Sequence, residues 1–121
     1  MLGVTSTLCF GPWLIRDGVL NTEEFATMNL GNNPRTAIGM VEPYHYKILT
    51  VKGRTKDSLG VKPDWMARKM QEMGCVEALN LDGGGTAVLI FMGKPINRTE
   101  KNLRSINSLI TFGRMEDSPA E

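Results

Sequence analysis

One carboxylate followed by three glycines is the part of this sequence best suited to chemistry. In "NLDGGGTAVLIF", residues 80 to 91, Asp82 runs into Gly83, Gly84 and Gly85, then Thr86 and an apolar run. Glycine loses more backbone entropy on folding than any other residue, so three in a row need a reason. A tight turn between two strands is one such reason. The other is a backbone kept bare so that a ligand can approach Asp82, a carboxylate displayed at a strand end. On these residues alone both readings stand. Either way, at least one of the three glycines is expected at positive φ.

Phosphate-binding loops can be tested on the same residues. The dinucleotide fingerprint G-x-G-x-x-G fits Gly83 and Gly85, but its third position is Val88. It also needs a helix after the glycines, whose N-terminus holds the phosphate. "TAVLIF" reads instead as a strand, and no Gly-Lys-Ser/Thr follows the loop. Nucleotide binding of either kind is excluded. Cys9 and Cys75 lie far apart and His45 is the single histidine, which argues against a structural zinc site. No metal and no cofactor are implied. The cysteines read as two buried thiols rather than a disulfide.

A frame must hold that loop. The chain has 121 residues, 41% hydrophobic and 22% charged, with a net charge of +1, which is ordinary for one globular domain. A chain of this length can bury a core without staples. The near-neutral balance and few aromatics give no footprint for nucleic acid. No apolar run approaches the about 20 residues needed for a membrane span. "MLGVTSTLCF" lacks the positive start and long apolar stretch of a signal peptide, and the compartment is left open.

Along the chain, "PWLIRDGVL" reads as a hairpin turning at Asp17-Gly18, and "NLGNNP" as a loop. "RTAIGMV" is a strand closed by Glu42-Pro43, and "YHYKILTV" returns as another. Tyr44, Tyr46, Ile48 and Thr50 should share one face of it, with His45, Lys47, Leu49 and Val51 on the other. His45 reads as a packed or surface residue. "PDWMARKMQEMG", residues 63 to 74, predicts a helix: Pro63 suits its first turn, Met66, Met70 and Met73 form a core stripe, and Gly74 caps it. "VEALNL", "TAVLIF" and "SINSLITF" read as further strands. The expected fold is α+β, a mixed, mainly antiparallel sheet with one long helix packed on it. One domain spans residues 1–113, followed by a frayed tail, 114–121.

"NLDGGGTAVLIFMGKPINR" resembles the signature of the phosphodiester glycosidase family, which includes bacterial exopolysaccharide-related proteins. "FGPWLIRDG", "NPRTAIGM", "VKGR" with "SLGVKPDWMARKMQEMGC", and "RSINSLITF" resemble further family segments in the same order. Thr86 stands where the family usually has Ser, and Asn107 or Ser108 stands near a position where many members have Asp. The family domain also begins with a segment carrying an Asn-Gly-Gly-aromatic motif that residues 1–121 do not contain. The match thus covers nearly all of this chain and about the C-terminal half to two thirds of the family domain.

The resemblance implies hydrolysis of a sugar-1-phosphodiester at its anomeric carbon, on an N-acetylglucosamine-phosphodiester-like or exopolysaccharide-related substrate. A phosphate monoester already leaves well, so cations matter more here than a strong general acid, and arginine's planar fork suits two phosphate oxygens. Arg35 and Arg104 become the candidates, with Arg54 a third. Asp82 becomes the nucleophile, base or oxocarbenium stabiliser. Gly83, Gly84, Gly85 and Thr86 would border the substrate, and Asn97 would orient a sugar hydroxyl or end a turn. Asp82, Arg35 and Arg104 should converge on one concave surface floored by the glycines. A catalytically incomplete glycan- or phosphosugar-binding module, or a fragment of a longer enzyme, is the rival reading. A sheet short of its front segment should show an unpaired edge or an apolar patch around Leu8–Ile15 and Arg35–Val41, and should self-associate.

Overall fold

Asp17 and Gly18 turn the chain as their types allow, both at positive φ (51° and 76°). They join β1 (Trp13–Arg16) to β2 (Val19–Leu20) as an antiparallel hairpin. A second hairpin pairs β3 (Arg35–Glu42) with β4 (His45–Val51) through the turn at Pro43-Tyr44. Between the hairpins runs β5 (Glu77–Asn80), antiparallel to both β1 and β3. The sheet order is therefore β2-β1-β5-β3-β4. The computed structural model describes residues 7–28, 30–97, 103–106 and 108–113.

One helix, α2 (Pro63–Glu72), covers one face of the sheet. Met66 and Met70 are fully buried and meet Leu14, Ile15, Ala37, Cys75 and Ala78. The sheet positions beneath them are small for a reason. A Cβ on Gly39 would come within 2.7 Å of both Cys75 Sγ and Met70 Cε. Leu14 and Ile15 are consecutive yet both buried, because the β1–β5 register shifts between Trp13 and Ile15. Gly74, at φ 89°, donates to Gln71 O at 2.9 Å and ends the helix where expected. The face assignments hold within β4, where Leu49, Lys47 and Val51 pair with Ala37, Gly39 and Arg35, but Tyr44 lies in the turn at φ 66° and not on the strand.

The domain is α+β with an antiparallel sheet, and it differs from expectation in several places. Helix α2 is ten residues, three turns rather than a long helix. A second helix, α1 (Thr22–Met28), precedes β3. Its signal was readable: Asn21 Oδ1 accepts from the N–H of Glu24 at 3.4 Å, and Glu23 and Glu24 stand in the first turn. "TAVLIF" is not one strand. A 3₁₀ turn spans Gly84–Thr86, and only β6 (Ile90–Phe91) pairs, with β7 (Lys94–Pro95). The described residues of "SINSLITF" form no strand and lie exposed; Asn107 and the tail 114–121 lie outside the described residues. Cys75 is buried as expected, but Cys9 is exposed. His45 is a surface residue, 3.6 Å from Glu42.

The other sheet face is open. Trp13, Ile38, Met40 and Leu79, with the more exposed Tyr46, border a hollow of about 360 Å³ that Leu8 also lines. Arg16 stands by this face, its guanidinium 4.6 Å from the Trp13 ring centre. An apolar surface is present, drawn from the two stretches named for it and also from Tyr46 on β4 and Leu79 on β5. Strand β4 is also an outer strand of the sheet. No helix among the described residues is long and apolar enough to cross a membrane.

Candidate functional site

Strand β5 ends at Asn80, and the chain continues along the start of β3 before it turns. Leu81 N–H bonds Thr36 O at 2.9 Å and Gly84 N–H bonds Pro34 O at 2.9 Å. Asp82 is thereby held two residues beyond the strand, exposed, with its Oδ1 accepting the Gly83 N–H at 2.9 Å. Thr86 closes the turn, its hydroxyl donating to Gly83 O at 2.8 Å.

Each glycine has its own physical reason. A Cβ on Gly83 would lie 2.7 Å from Pro34 O, so the loop could not hug β3. Gly84 sits at φ 64°, the left-handed region that side chains resist. A Cβ on Gly85 would strike Arg104 Cδ at 2.9 Å. The glycines therefore admit protein groups, two of them arginines, rather than standing bare: at Gly84 a Cβ would also meet Arg54 Nη2 at 3.3 Å.

A cleft of about 290 Å³ opens here. Asp82, Gly83 and Gly84 line it together with Arg35, Arg54 and Asn80. Arg35 and Asp82 thus share one concave surface. Arg104 lies against the neighbouring Gly85 instead of among the cleft residues. Arg54 has a more central place than its sequence signal suggested. It follows β4 with φ at 56°, a conformation uncommon for a side-chain residue, and its Nη2 donates to Asn33 Oδ1 at 2.9 Å.

The three arginines differ in what already holds them. Arg35 is buried, with Nε donating to Val61 O at 2.7 Å and Nη2 to Gly31 O at 2.8 Å. Burial lowers its pKa from the ordinary value, and two of its N–H donors are already held by backbone carbonyls. Arg54 and Arg104 are exposed, and among the described residues no ion pair engages either of them or Asp82. Asn97 lies outside the cleft: Leu89 N–H donates to its Oδ1 at 2.8 Å, and its Nδ2 donates to Ala87 O at 2.7 Å. Its amide acts as a splint for residues 87–89. No group of metal-ligating side chains occurs among the described residues.

Asn33, Asn80 and Phe10 also line the cleft, and sequence reasoning missed them as site residues. Phe10, Asn33 and Asn80 all sit inside family-like segments, which was the available signal.

A family model described as phosphodiester glycosidase matches residues 2–112. The chain belongs to the phosphodiester glycosidase family. Among curated proteins it is 31% identical over 119 residues to the SPbeta prophage-derived uncharacterized protein YomE of Bacillus subtilis, covering 95% of this chain and 18% of that protein. Two solved structures share the fold. One is a hypothetical protein from Synechocystis, with TM-score 0.59, 25% identity, and coverage of 78% of this chain and 18% of that one. The other is the zebrafish N-acetylglucosamine-1-phosphodiester alpha-N-acetylglucosaminidase catalytic domain auto-inhibited by its pro-peptide. It gives TM-score 0.60, 25% identity, and coverage of 73% of this chain and 33% of that one. The chain thus spans between 18% and 33% of the length of these relatives.

Proposed function

We propose that this chain carries the glycine-loop part of a phosphodiester glycosidase site, acting on a sugar joined through its anomeric oxygen to a phosphodiester. One observation carries the reading: Asp82 and Arg54 share a cleft, with Arg104 alongside, and among the described residues no ion pair neutralises any of them. Opposite charges left apart in one cleft suit a ligand that is anionic at one end and gains positive character at the other. The phosphate meets Arg54 and Arg104, whose guanidinium forks match its oxygens. Asp82 faces the anomeric carbon, as nucleophile or base, or as the countercharge to an oxocarbenium-like transition state. Water's oxygen bonds to that carbon, the bond to the phosphate oxygen breaks, and a phosphate monoester leaves. Arg35 acts from beneath by fixing the 31–35 segment. Thr86 and the glycines set the shape of the loop.

A second reading has its own observation. Asp82 is the one acid among the described residues that line the cleft, whereas most glycosidases use two carboxyl groups. On this reading the chain binds a phosphosugar without cleaving it. Turnover separates the two. The whole chain is incubated with an N-acetylglucosamine-1-phosphate methyl diester, and free sugar is measured. For an enzyme, Asp82→Asn lowers kcat on the order of 1,000-fold or more in a protein that still folds. Ligand binding without release of sugar supports the binding module. A folded D82N variant with full turnover removes Asp82 from the mechanism.

A further inference from the structure

The cleft has two chemically different walls. The glycine loop, through Asp82, and Arg54 make one charged. The other, from Phe10 to Pro12 with Leu30 and Leu81, carries no charge. A phosphate has no use for that wall. A pyranose does, because its ring has C–H faces that pack on aromatic carbon while its hydroxyls stay at the rim. Ligand sites commonly combine such an apolar surface with a few placed polar groups.

Phe10 is a large aromatic left half-exposed, at 51%, on the lining of the cleft. The segment carrying it is strapped down from below. Asn80 donates from Nδ2 to Gly11 O at 3.1 Å, and its backbone N–H reaches Pro12 O at 3.3 Å. Asn80 itself is 4% exposed, and its Oδ1 has no hydrogen-bond partner among the described residues. A buried acceptor without a partner is costly, and a ligand donor or an ordered water is what satisfies one.

We infer that Phe10 is the stacking surface for the sugar ring, a specificity-determining residue, and that Asn80 is the positioning residue that fixes it. The inference rests on the phosphosugar reading above. It divides the cleft into a phosphate end governed by Arg54 and a sugar end governed by Phe10. It also gives a purpose to a segment about 70 positions away from the glycine loop in sequence.

Calorimetric titration of the whole chain tests it with two probes, inorganic phosphate and N-acetylglucosamine 1-phosphate. Phe10→Ala is expected to weaken the sugar phosphate roughly tenfold and leave phosphate unchanged, with Phe10→Tyr restoring most of the loss and Phe10→Leu little of it. Asn80→Ala should weaken the sugar phosphate similarly, and the double variant should lose little more than either single one. Phe10 is exposed, so its variants test the idea even where Asn80→Ala fails to fold. Phe10→Ala binding the sugar phosphate as tightly as the parent overturns the inference and leaves the phosphate site standing. Equal weakening of both probes also overturns it, showing a structural role. A parent chain that binds neither probe overturns the inference and the functional reading together.

Discussion

The two faces of the same sheet follow opposite rules. On the face under α2 the central positions are small, Ala37, Gly39 and Ala78, and the volume is supplied by Met66 and Met70 from the helix. On the other face the strands carry the volume themselves, through Trp13, Ile38, Met40, Tyr46 and Leu79, and no second layer of the described residues lies over them. Small sheet residues let a helix approach and its side chains nest. Large ones on an open face are what a sheet displays when its covering layer comes from somewhere else. The contrast separates a face covered by a helix from one that the described residues leave open.

The largest expected effect belongs to the closed face. Met70→Ala should lose about 2–5 kcal/mol of stability in urea unfolding, because a fully buried side chain leaves a cavity against rigid strands. Arg35→Ala should follow at about 1.5–3 kcal/mol, since it deletes two charge-assisted bonds to Val61 and Gly31 carbonyls at the end of the same face. Ile38→Ser, on the open face, should cost less than about 1 kcal/mol. A loss as large as that of Met70→Ala would break the contrast, because it would mean that the open face is covered in solution. Sedimentation of the parent and the Ile38 variant then asks whether a second copy is the cover: the parent is expected to self-associate and the variant less so.

The smallest effect is in the thiols. Exposed Cys9 should react with a thiol reagent well before buried Cys75. Burial raises the Cys75 pKa above its ordinary 9.0, and nearby Lys47 pulls it partly back. A raised folded-state pKa means its contribution is whole below about pH 9 and is lost as pH rises through the folded value, where the unfolded chain ionises first. Cys75→Ala should therefore flatten the fall in stability above that pH. An unchanged pH slope in the variant would show that other groups cause it.

Legibility in the sequence followed the same divide. The hairpin of β3 and β4, the helix α2 and the face of each β4 residue were readable because alternation and a methionine period are local signals with a partner close by. Helix α1 was missed although Asn21 and the acids after it announced a start. "TAVLIF" and "SINSLITF" carried strand-like composition, but a strand is completed by a neighbour, and here Ile90 and Phe91 find only Lys94 and Pro95. At the site, Asp82 and the glycines stood out at once, whereas their reason did not. That Gly83 avoids the Pro34 carbonyl and Gly85 makes room for Arg104 depends on residues about 50 positions before one and 20 after the other. Arg54 was underrated because its place comes from a backbone twist, which composition does not display.

Strand order has one more consequence, in time rather than space. The strand that joins the hairpins, β5, is the last of the sheet's five to be synthesised, while β1 beside it is the first. Until residue 80 is available, two hairpins exist with nothing to bridge them, and the methionines of α2 have no continuous floor. Assembly therefore waits on contacts distant in sequence, which folds more slowly than a chain of neighbours. A nascent chain stalled just before Glu77 should display both hairpins unjoined, and release of only four more residues should let the whole sheet lock.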